Sequence, residues 1–245
     1  KLTVFIDDVK NESNKEIKII KFANLVDLVD AISKHEHSWF DEQKPLLLLL
    51  SETVEEISDT RTTAEFSSVH FQSDQAIEKL HELIVGFLKR NPKEVDLMLA
   101  VVNRDCKLKL QVPAVVEDYI FNDIVSSNEI DIREEYLKKS IEFASDEVSN
   151  LKAKIFFLKK VFNPIFIYES VNKGSVDTFF TNTKPEWLEK LNDNIWKSTK
   201  DIITNHTSGS MDSYRYALLE VTALLLKLAS KYLGDLRKDI IKFSW

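Results

Sequence analysis

The chain has 245 residues, 44% of them hydrophobic, with a formal net charge of −7. That is enough apolar content for a sizeable core, and the charge argues against nucleic acid as the main partner, because phosphate binding is driven by Lys and Arg. The 4 glycines and 5 prolines are too few for the frequent turns of a strand-rich fold and point to long helices, while the lone Cys106 permits no internal disulfide, favours a reducing compartment and reads as a small, partly buried apolar residue.

In chain order, Lys1 to Lys10 alternates at Leu2, Val4 and Ile6 and predicts an extended lead-in. It lacks the apolar core and cleavage site of a signal peptide. A first helical hairpin begins near Lys15. Leu46 to Leu50 is the longest apolar run, far too short to span a bilayer and best read as a helix buried all round. Glu52, Glu55, Glu56 and Asp59 fit a solvated helix face. Ser58 to Phe71 has a Thr/Ser-rich middle and predicts a loop. Ser73 to Arg90 then places Ile77, Leu80, Ile84, Phe87 and Leu88 on one helical stripe, and Asn91-Pro92 punctuates its end.

Val112, Val115, Val116, Tyr119 and Ile120, with Ile124 close by, make the next stripe. Asp131 with Glu134 is a helix-start signal. Val148, Leu151, Ile155, Leu158 and Phe162 repeat the rhythm up to Asn163-Pro164. Gly174 and Gly234 stand where a helix end favours a left-handed residue. Thr183 with Glu186 is a capping box with Pro185 in the first turn. Thr204 to Ser210 reads as a flexible link, and Tyr214 to Leu228 as a last strong stripe. The finish at Phe243-Ser244-Trp245 has the look of a cut through something longer.

The expected fold class is all-α: a HEAT-like helical-hairpin solenoid, one segment over residues 1–245 with about five hairpins. Their first helices start near Lys15, Gln72, Val112, Asp146 and Pro185, at spacings of roughly 35 to 56 residues, close to the two-helix repeat class. Composition shows no domain boundary.

Catalytic chemistry finds little support. His35 and His37 lie two apart, so on a helix they face different ways and do not chelate one metal easily; they read as a polar helix end. His70, His81 and His206 stand alone, with His81 on a helix surface or half buried. No phosphate-cradling glycine loop or nucleophile elbow occurs. No catalytic residue, cofactor or metal is expected, and the chain reads as a non-enzyme.

Binding chemistry has one stronger candidate, the run Lys152 to Lys160. Beside the stripe of Val148, Leu151, Ile155 and Leu158, residues Lys152, Phe156 and Lys160 form an i, i+4, i+8 row. Lys159 adds to the basic frame, and Phe157 falls opposite the core stripe. An aromatic framed by lysines suits an acidic, hydrophobic peptide. The competing reading is a helix buried on two sides with its lysine stems snorkelling. Arg237, Lys238 and Lys242 form a second basic group, equally explained as cations near a helix C-terminus.

Several short stretches, in order and spacing, resemble one family. They are Ile19-Ile20 leading to His37-Ser38-Trp39, then Leu151-Lys152-Ala153-Lys154, Asn163-Pro164 with Phe166 and Tyr168, and Phe180-Thr181. The last are Ser213-Tyr214-Arg215 through Leu218-Leu219 and Leu224-Leu225 to Phe243-Ser244-Trp245. Together they are similar to the transformation/transcription domain-associated proteins, giant HEAT-repeat pseudokinases, and more to fungal than to animal members. The resemblance runs from about Lys15 to Trp245 and is weakest in the Ser58 to Phe71 loop.

It implies a piece of the middle helical solenoid of a nuclear, non-catalytic co-activator scaffold. The implied partners are acidic activation domains of transcription activators and other subunits of the SAGA and NuA-type histone-acetyltransferase complexes. Neither direct nucleic-acid contact nor a membrane is implied, and no docking residue carries over from the family. The alternatives are a purely structural solenoid segment contacting other subunits, or a generic helical-repeat adaptor.

Overall fold

A computed structural model describes residues 2–58, 67–108, 110–127, 129–146 and 150–162, with the single positions 164 and 223. Every element among the described residues is a helix. The chain divides into two compact units, Lys1–Tyr119 and Ile120–Trp245.

The first unit holds α1 (Thr3–Asn11), α2 (Lys15–His35), the single turn α3 (His37–Phe40), α4 (Lys44–Ser58), α5 (Ser67–Arg90), α6 (Val95–Lys107) and α7 (Ala114–Tyr119). The extended lead-in is thus a helix. Its buried residues, Ile6 and Val9, lie three apart, and α2 and α4 supply a surface that fits that helical spacing better than the short alternation of Leu2, Val4 and Ile6. Asn14 starts α2, its side-chain oxygen accepting from the backbone N–H groups of Glu16 (3.0 Å) and Ile17 (3.1 Å), which satisfies two orphan donors of the first turn. In the bend before it, the Glu12 carboxylate accepts from the Asn14 N–H at 3.0 Å and pairs with Lys21 at 2.9 Å. The backbone hydrogen bond first and the lysine second hold Glu12 below the usual carboxylate range.

Ion pairs fix the helix directions. Lys18, early in α2, meets Glu56, late in α4, at 3.1 Å, so these two run antiparallel as a hairpin. The short connection Asn91 to Glu94 makes α5 and α6 a second hairpin; there Asn91 caps the Phe87 carbonyl through its N–H (2.9 Å) and its side-chain amide (3.2 Å). Between the hairpins, Lys44 pairs with Glu94, Ser51 with Arg104, and Glu55 with Lys107. The numbers rise together, so α4 and α6 are parallel, and therefore so are α2 and α5. Parallel stacking of like helices in two layers, α2 and α5 in one and α4 and α6 in the other, is the HEAT arrangement.

The carboxylates expected on an open face of α4 are half of this framework. Glu52, Glu55 and Glu56 each face a lysine, from α1, α6 and α2 respectively. These pairs are partly exposed and add only about 0–1 kcal/mol each; the apolar face of α4 does more. Leu46, Leu47, Leu50, Val54 and Ile57 are buried, while Leu48 and Leu49 are half buried, so the leucine run is covered on most sides. Phe40 of α3 is buried edge-on to Phe87, centroids 6.0 Å apart, and Arg90 lies over the Phe40 ring at 4.9 Å. That ties the bend between α2 and α4 to the C-terminal end of α5.

In the second unit, a π-helical segment (Ile120–Val125, π1) is followed by α8 (Ile130–Ser145), α9 (Leu151–Phe157) and a further π-helical segment (Leu158–Phe162, π2). α8 packs on α9, π1 and π2, and π1 touches π2. The bond from Ser126 N–H to the Phe121 carbonyl, 3.2 Å, shows the wider i to i+5 turn. The middle of the predicted loop, the capping box at Thr183, the link at Thr204 to Ser210, the stripe from Tyr214 and the hairpin at Pro185 lie outside the described residues, as do Gly174 and Gly234.

Gly86 sits inside α5, and a Cβ there meets nothing within 4 Å. Glycine in a helix interior costs roughly 0.5–1 kcal/mol against alanine. Gly86→Ala is therefore expected to raise unfolding free energy by about that amount, read as a higher urea midpoint at unchanged slope.

Candidate interaction site

The predicted docking run lies on α9 and π2, where the structure separates its members. Lys152 and Lys160 are exposed, and Phe156 and Lys159 are half buried. Phe157 is 0% exposed, not opposite the core as its spacing suggested. It stacks edge-on with Phe143 of α8 at 5.2 Å and with Phe156 at 5.5 Å. Two causes act. The sequence holds two overlapping stripes, and the pairs Phe157-Leu158 and Val161-Phe162, four apart, form one as good as Ile155, Leu158 and Phe162. From Leu158 onward the turn also widens, so the i+8 row running to Lys160 drifts out of register. Lys154 turns inward as well, 3% exposed, and its ammonium donates to the Asp146 carbonyl. Asn150 caps the helix by accepting from the Lys152 N–H at 2.9 Å. What stays at the surface is Lys152 and the half-buried Phe156 on α9, and the half-buried Lys159 with Lys160 on π2.

The second constellation was not expected. His81 is 1% exposed and Asp105 0%. Nδ1 of His81 faces the Ile77 carbonyl at 2.7 Å, an acceptor only, so this nitrogen carries a hydrogen. Nε2 faces the Asp105 carboxylate at 2.8 Å. Arg104 donates from Nε to that carboxylate at 2.9 Å, from Nη1 to the Ser51 carbonyl at 2.9 Å and to the Ser51 hydroxyl. A serine, a histidine and an aspartate are thus within one cluster, but the hydroxyl is bound to Arg104 and not to the imidazole. The geometry of an activated nucleophile, serine on histidine on carboxylate, is missing here. The cluster instead links α4, α5 and α6 through the core. Its sequence signal was present: His81 shares a face with Ile77, Ile84 and Leu88, and Asp105 one with Met98, Val101 and Val102, so both occupy core positions.

The third feature is a groove of about 550 Å³ between α2 and α5, lined by Ile20, Asn24, Asp27, Gln75, Glu78 and Glu82 among others. Lys79 crosses it, 2.7 Å from Asp27 and 3.2 Å from Asp30. Those hydrogen bonds, Asp27 first, hold the Lys79 ammonium above the usual lysine range. Burial pushes Asp30 up, but hydrogen bonds from Lys34 and Lys79 outweigh it, and its carboxyl lies below the ordinary value.

His35 ends α2 and His37 begins α3, both exposed. Cys106 is buried. Among the described residues no three His, Cys, Asp or Glu side chains stand close enough to hold a metal ion, and no helix is long and apolar enough to cross a membrane. The group Arg237, Lys238 and Lys242 lies outside the described residues.

Comparison with known proteins places this geometry in context. Residues 3–245 match the model of the Tra1 HEAT repeat ring region. The chain is 25% identical over 241 residues to the SAGA complex/NuA4 acetyltransferase complex subunit TRA1 of Saccharomyces cerevisiae, covering 97% of this chain and 6% of that protein. It is 24% identical over 241 residues to the probable transcription-associated protein 1 of Dictyostelium discoideum, covering 92% of this chain and 5% of that protein. The chain therefore spans only a small fraction of the length of these curated relatives.

Two outcomes are expected. Asp105→Ala leaves Arg104 and His81 buried without their anion and costs about 3–5 kcal/mol, whereas Lys107→Ala, breaking the exposed pair with Glu55, costs about 0–1 kcal/mol; chemical denaturation of both variants measures the contrast. The Asp30 clasp contributes fully above the ordinary carboxylate range and is lost as pH falls through the depressed value. The thermal-midpoint difference between the native chain and Lys79→Met therefore shrinks as pH falls from about 5 toward about 1.

Proposed function

Because the chain belongs to the Tra1 HEAT repeat ring family, we propose that it is a non-catalytic segment of a nuclear co-activator scaffold, working within SAGA- and NuA4-type acetyltransferase assemblies and docking acidic activation domains. The relatives' names support the assembly, and the stacked hairpins support a scaffold, since each repeat contacts mainly its neighbours and leaves long faces for partners.

The docking part rests on one observation: Phe156 is half buried and Lys152 exposed on α9, with Lys160 exposed on π2, which continues it. A disordered acidic-aromatic peptide folds onto such a surface by pairing its carboxylates with the lysine ammoniums and packing an apolar side chain on the Phe156 edge. Phe157 serves as the fixed wall behind Phe156, not as a contact. Affinity of this kind is weak and falls with ionic strength.

A second reading, a purely structural segment contacting other subunits, is favoured by a specific observation. Ala153, Ile155, Phe157 and Leu158 are all buried, so α9 is covered on two sides and offers a narrow surface.

Amide NMR titration of the chain with an unlabelled acidic activation-domain peptide, against a scrambled peptide of equal charge, separates the two. Docking gives shifts confined to residues around Lys152 to Lys160 with the native-order peptide. Lys152→Glu with Lys160→Glu then weakens it about tenfold, about 1.4 kcal/mol. Equal shifts with both peptides, or none in the folded chain, leave the structural reading.

A further inference from the structure

α2 is apolar on two opposite faces. Ile19, Phe22, Leu25, Val26 and Val29 are buried, as a helix in a stacked pair requires. On the other side, Ile17, Ile20 and Leu28 follow one another at helical spacing and are between 41% and 44% exposed. Packing among the described residues of the first unit covers that stripe only in part. Across the groove, α5 turns outward a stripe of Phe71, Gln75, Glu78 and Glu82, with Phe71 63% exposed. From Ile17 to Leu28 the stripe runs about 16 Å, some three helical turns. Ile20 lines the groove, and Ile17, Leu28 and Phe71 continue the stripes of α2 and α5 that flank it; grouped exposed apolar side chains mark an interaction site more than scattered ones do.

The charge of the groove is net acidic, because its one lining lysine, Lys79, is paired with Asp27 and Asp30. Glu78 and Glu82 line it and, among the described residues, have no cationic partner. Asp27 lies on the same wall. The cations nearby are already engaged: Lys79 with Asp27 and Asp30, and Lys34 with Asp30 at 2.8 Å. An acidic activation domain would meet uncompensated carboxylates there, and like charges brought together across an interface are costly. A segment carrying lysines or arginines on one side and aliphatic residues on the other meets both demands at once.

We propose that the α2–α5 groove docks a basic, amphipathic helix from a partner protein, with apolar residues seated on Ile20 in the groove and on Ile17, Leu28 and Phe71 flanking it, and cations facing Glu78 and Glu82. The mode is helix-in-groove, read by anchors at i, i+3, i+4 and i+7. It is independent of the Lys152 surface and selects the opposite charge.

Fluorescence anisotropy of the full chain with a labelled Leu/Lys amphipathic peptide of about four turns tests this, beside a Leu/Glu peptide of the same length. The Leu/Lys peptide is expected to bind saturably and the Leu/Glu peptide not to bind. Glu78→Lys with Glu82→Lys is expected to weaken binding at least about tenfold, and Ile20→Ser with Phe71→Ser to do the same without any change of charge. Glu36→Lys with Glu42→Lys, an equal charge reversal at exposed positions outside the groove, is expected to leave affinity within about twofold. Circular dichroism confirms that each variant keeps its helices. Equal weakening by both charge reversals would mean attraction to the net charge alone and overturn the proposal. So would the absence of binding, or a concentration-dependent dimer in sedimentation that Ile20→Ser abolishes, since a second copy would then be the occupant.

Discussion

The buried cluster of Ser51, His81, Arg104 and Asp105 constrains the first unit more than any other interaction. Apolar contact sets two helices near each other, but ridges in grooves tolerate sliding by a turn at small cost. The buried polar contacts between helices do not: Arg104 and Asp105 move together on α6, but a shift of one turn takes Asp105 from His81 on α5 and Arg104 from Ser51 on α4, leaving buried polar groups without partners. Because Arg104 reaches the Ser51 carbonyl at 2.9 Å on the preceding hairpin, the cluster sets the register between hairpins as well as within one. In a solenoid, where stability is a chain of nearest-neighbour terms, a register lock at one interface protects the geometry of what is displayed along the stack. The ion pairs around it, Lys44 with Glu94 and Lys107 with Glu55, agree with that register but lie toward solvent and are too weak to impose it.

Charge is distributed so that two kinds of surface coexist in a chain of net charge −7. An acidic balance alone sits awkwardly with the docking of acidic activators. It is less awkward once the carboxylates of the first unit are followed individually. Those on α4 are spent on lysines of neighbouring helices, and those on α5, at Glu78 and Glu82, face a groove. The basic surface about Phe156 belongs to the other unit. Under the two proposals, this sorting by sign discriminates between partners without deep pockets, since the wrong peptide is refused by repulsion as much as the right one is attracted.

The sequence made the helical class, the Asn91-Pro92 break and the helix start at Lys15 legible, because scarce glycine and proline and a strong 3.6-residue rhythm act locally; α5 begins at Ser67, inside the predicted loop and not near Gln72, and α9 at Leu151, not near Asp146. The family was legible too, from several short matches in order. What was not legible depended on neighbours. The alternation at Leu2, Val4 and Ile6 resembles a strand until α2 and α4 are present to cover Ile6 and Val9. Phe157 could be assigned to either of two overlapping stripes until Phe143 of α8, 5.2 Å away, chose one. The widened turns at π1 and π2 have no local signal comparable to proline, and they moved Lys160 off the row that spacing alone had drawn. His81 is the instructive miss, since it sat on a core stripe with Ile77 and Ile84. A lone histidine is easily read as surface, and only the pairing with Asp105, 24 positions on, shows why burial is tolerated.

A second apolar face on α2 carries a cost. An exposed aliphatic stripe weakens the amphipathic contrast that seats a helix correctly, because the helix could rotate and bury the wrong side. The first unit resists this through polar contacts on α2 that hold only in one rotation. Lys18 reaches Glu56 at 3.1 Å, Lys21 reaches Asp8 and Glu12, and Asp27 and Asp30 meet Lys79. Individually each is minor at the surface. Placed at both flanks of the helix and along its length, they oppose the same rotation, so their effects point one way. Ile17, Ile20 and Leu28 can therefore face outward without loss of a unique packing, and residues held at the surface against their own hydrophobicity are the ones a partner gains most by covering.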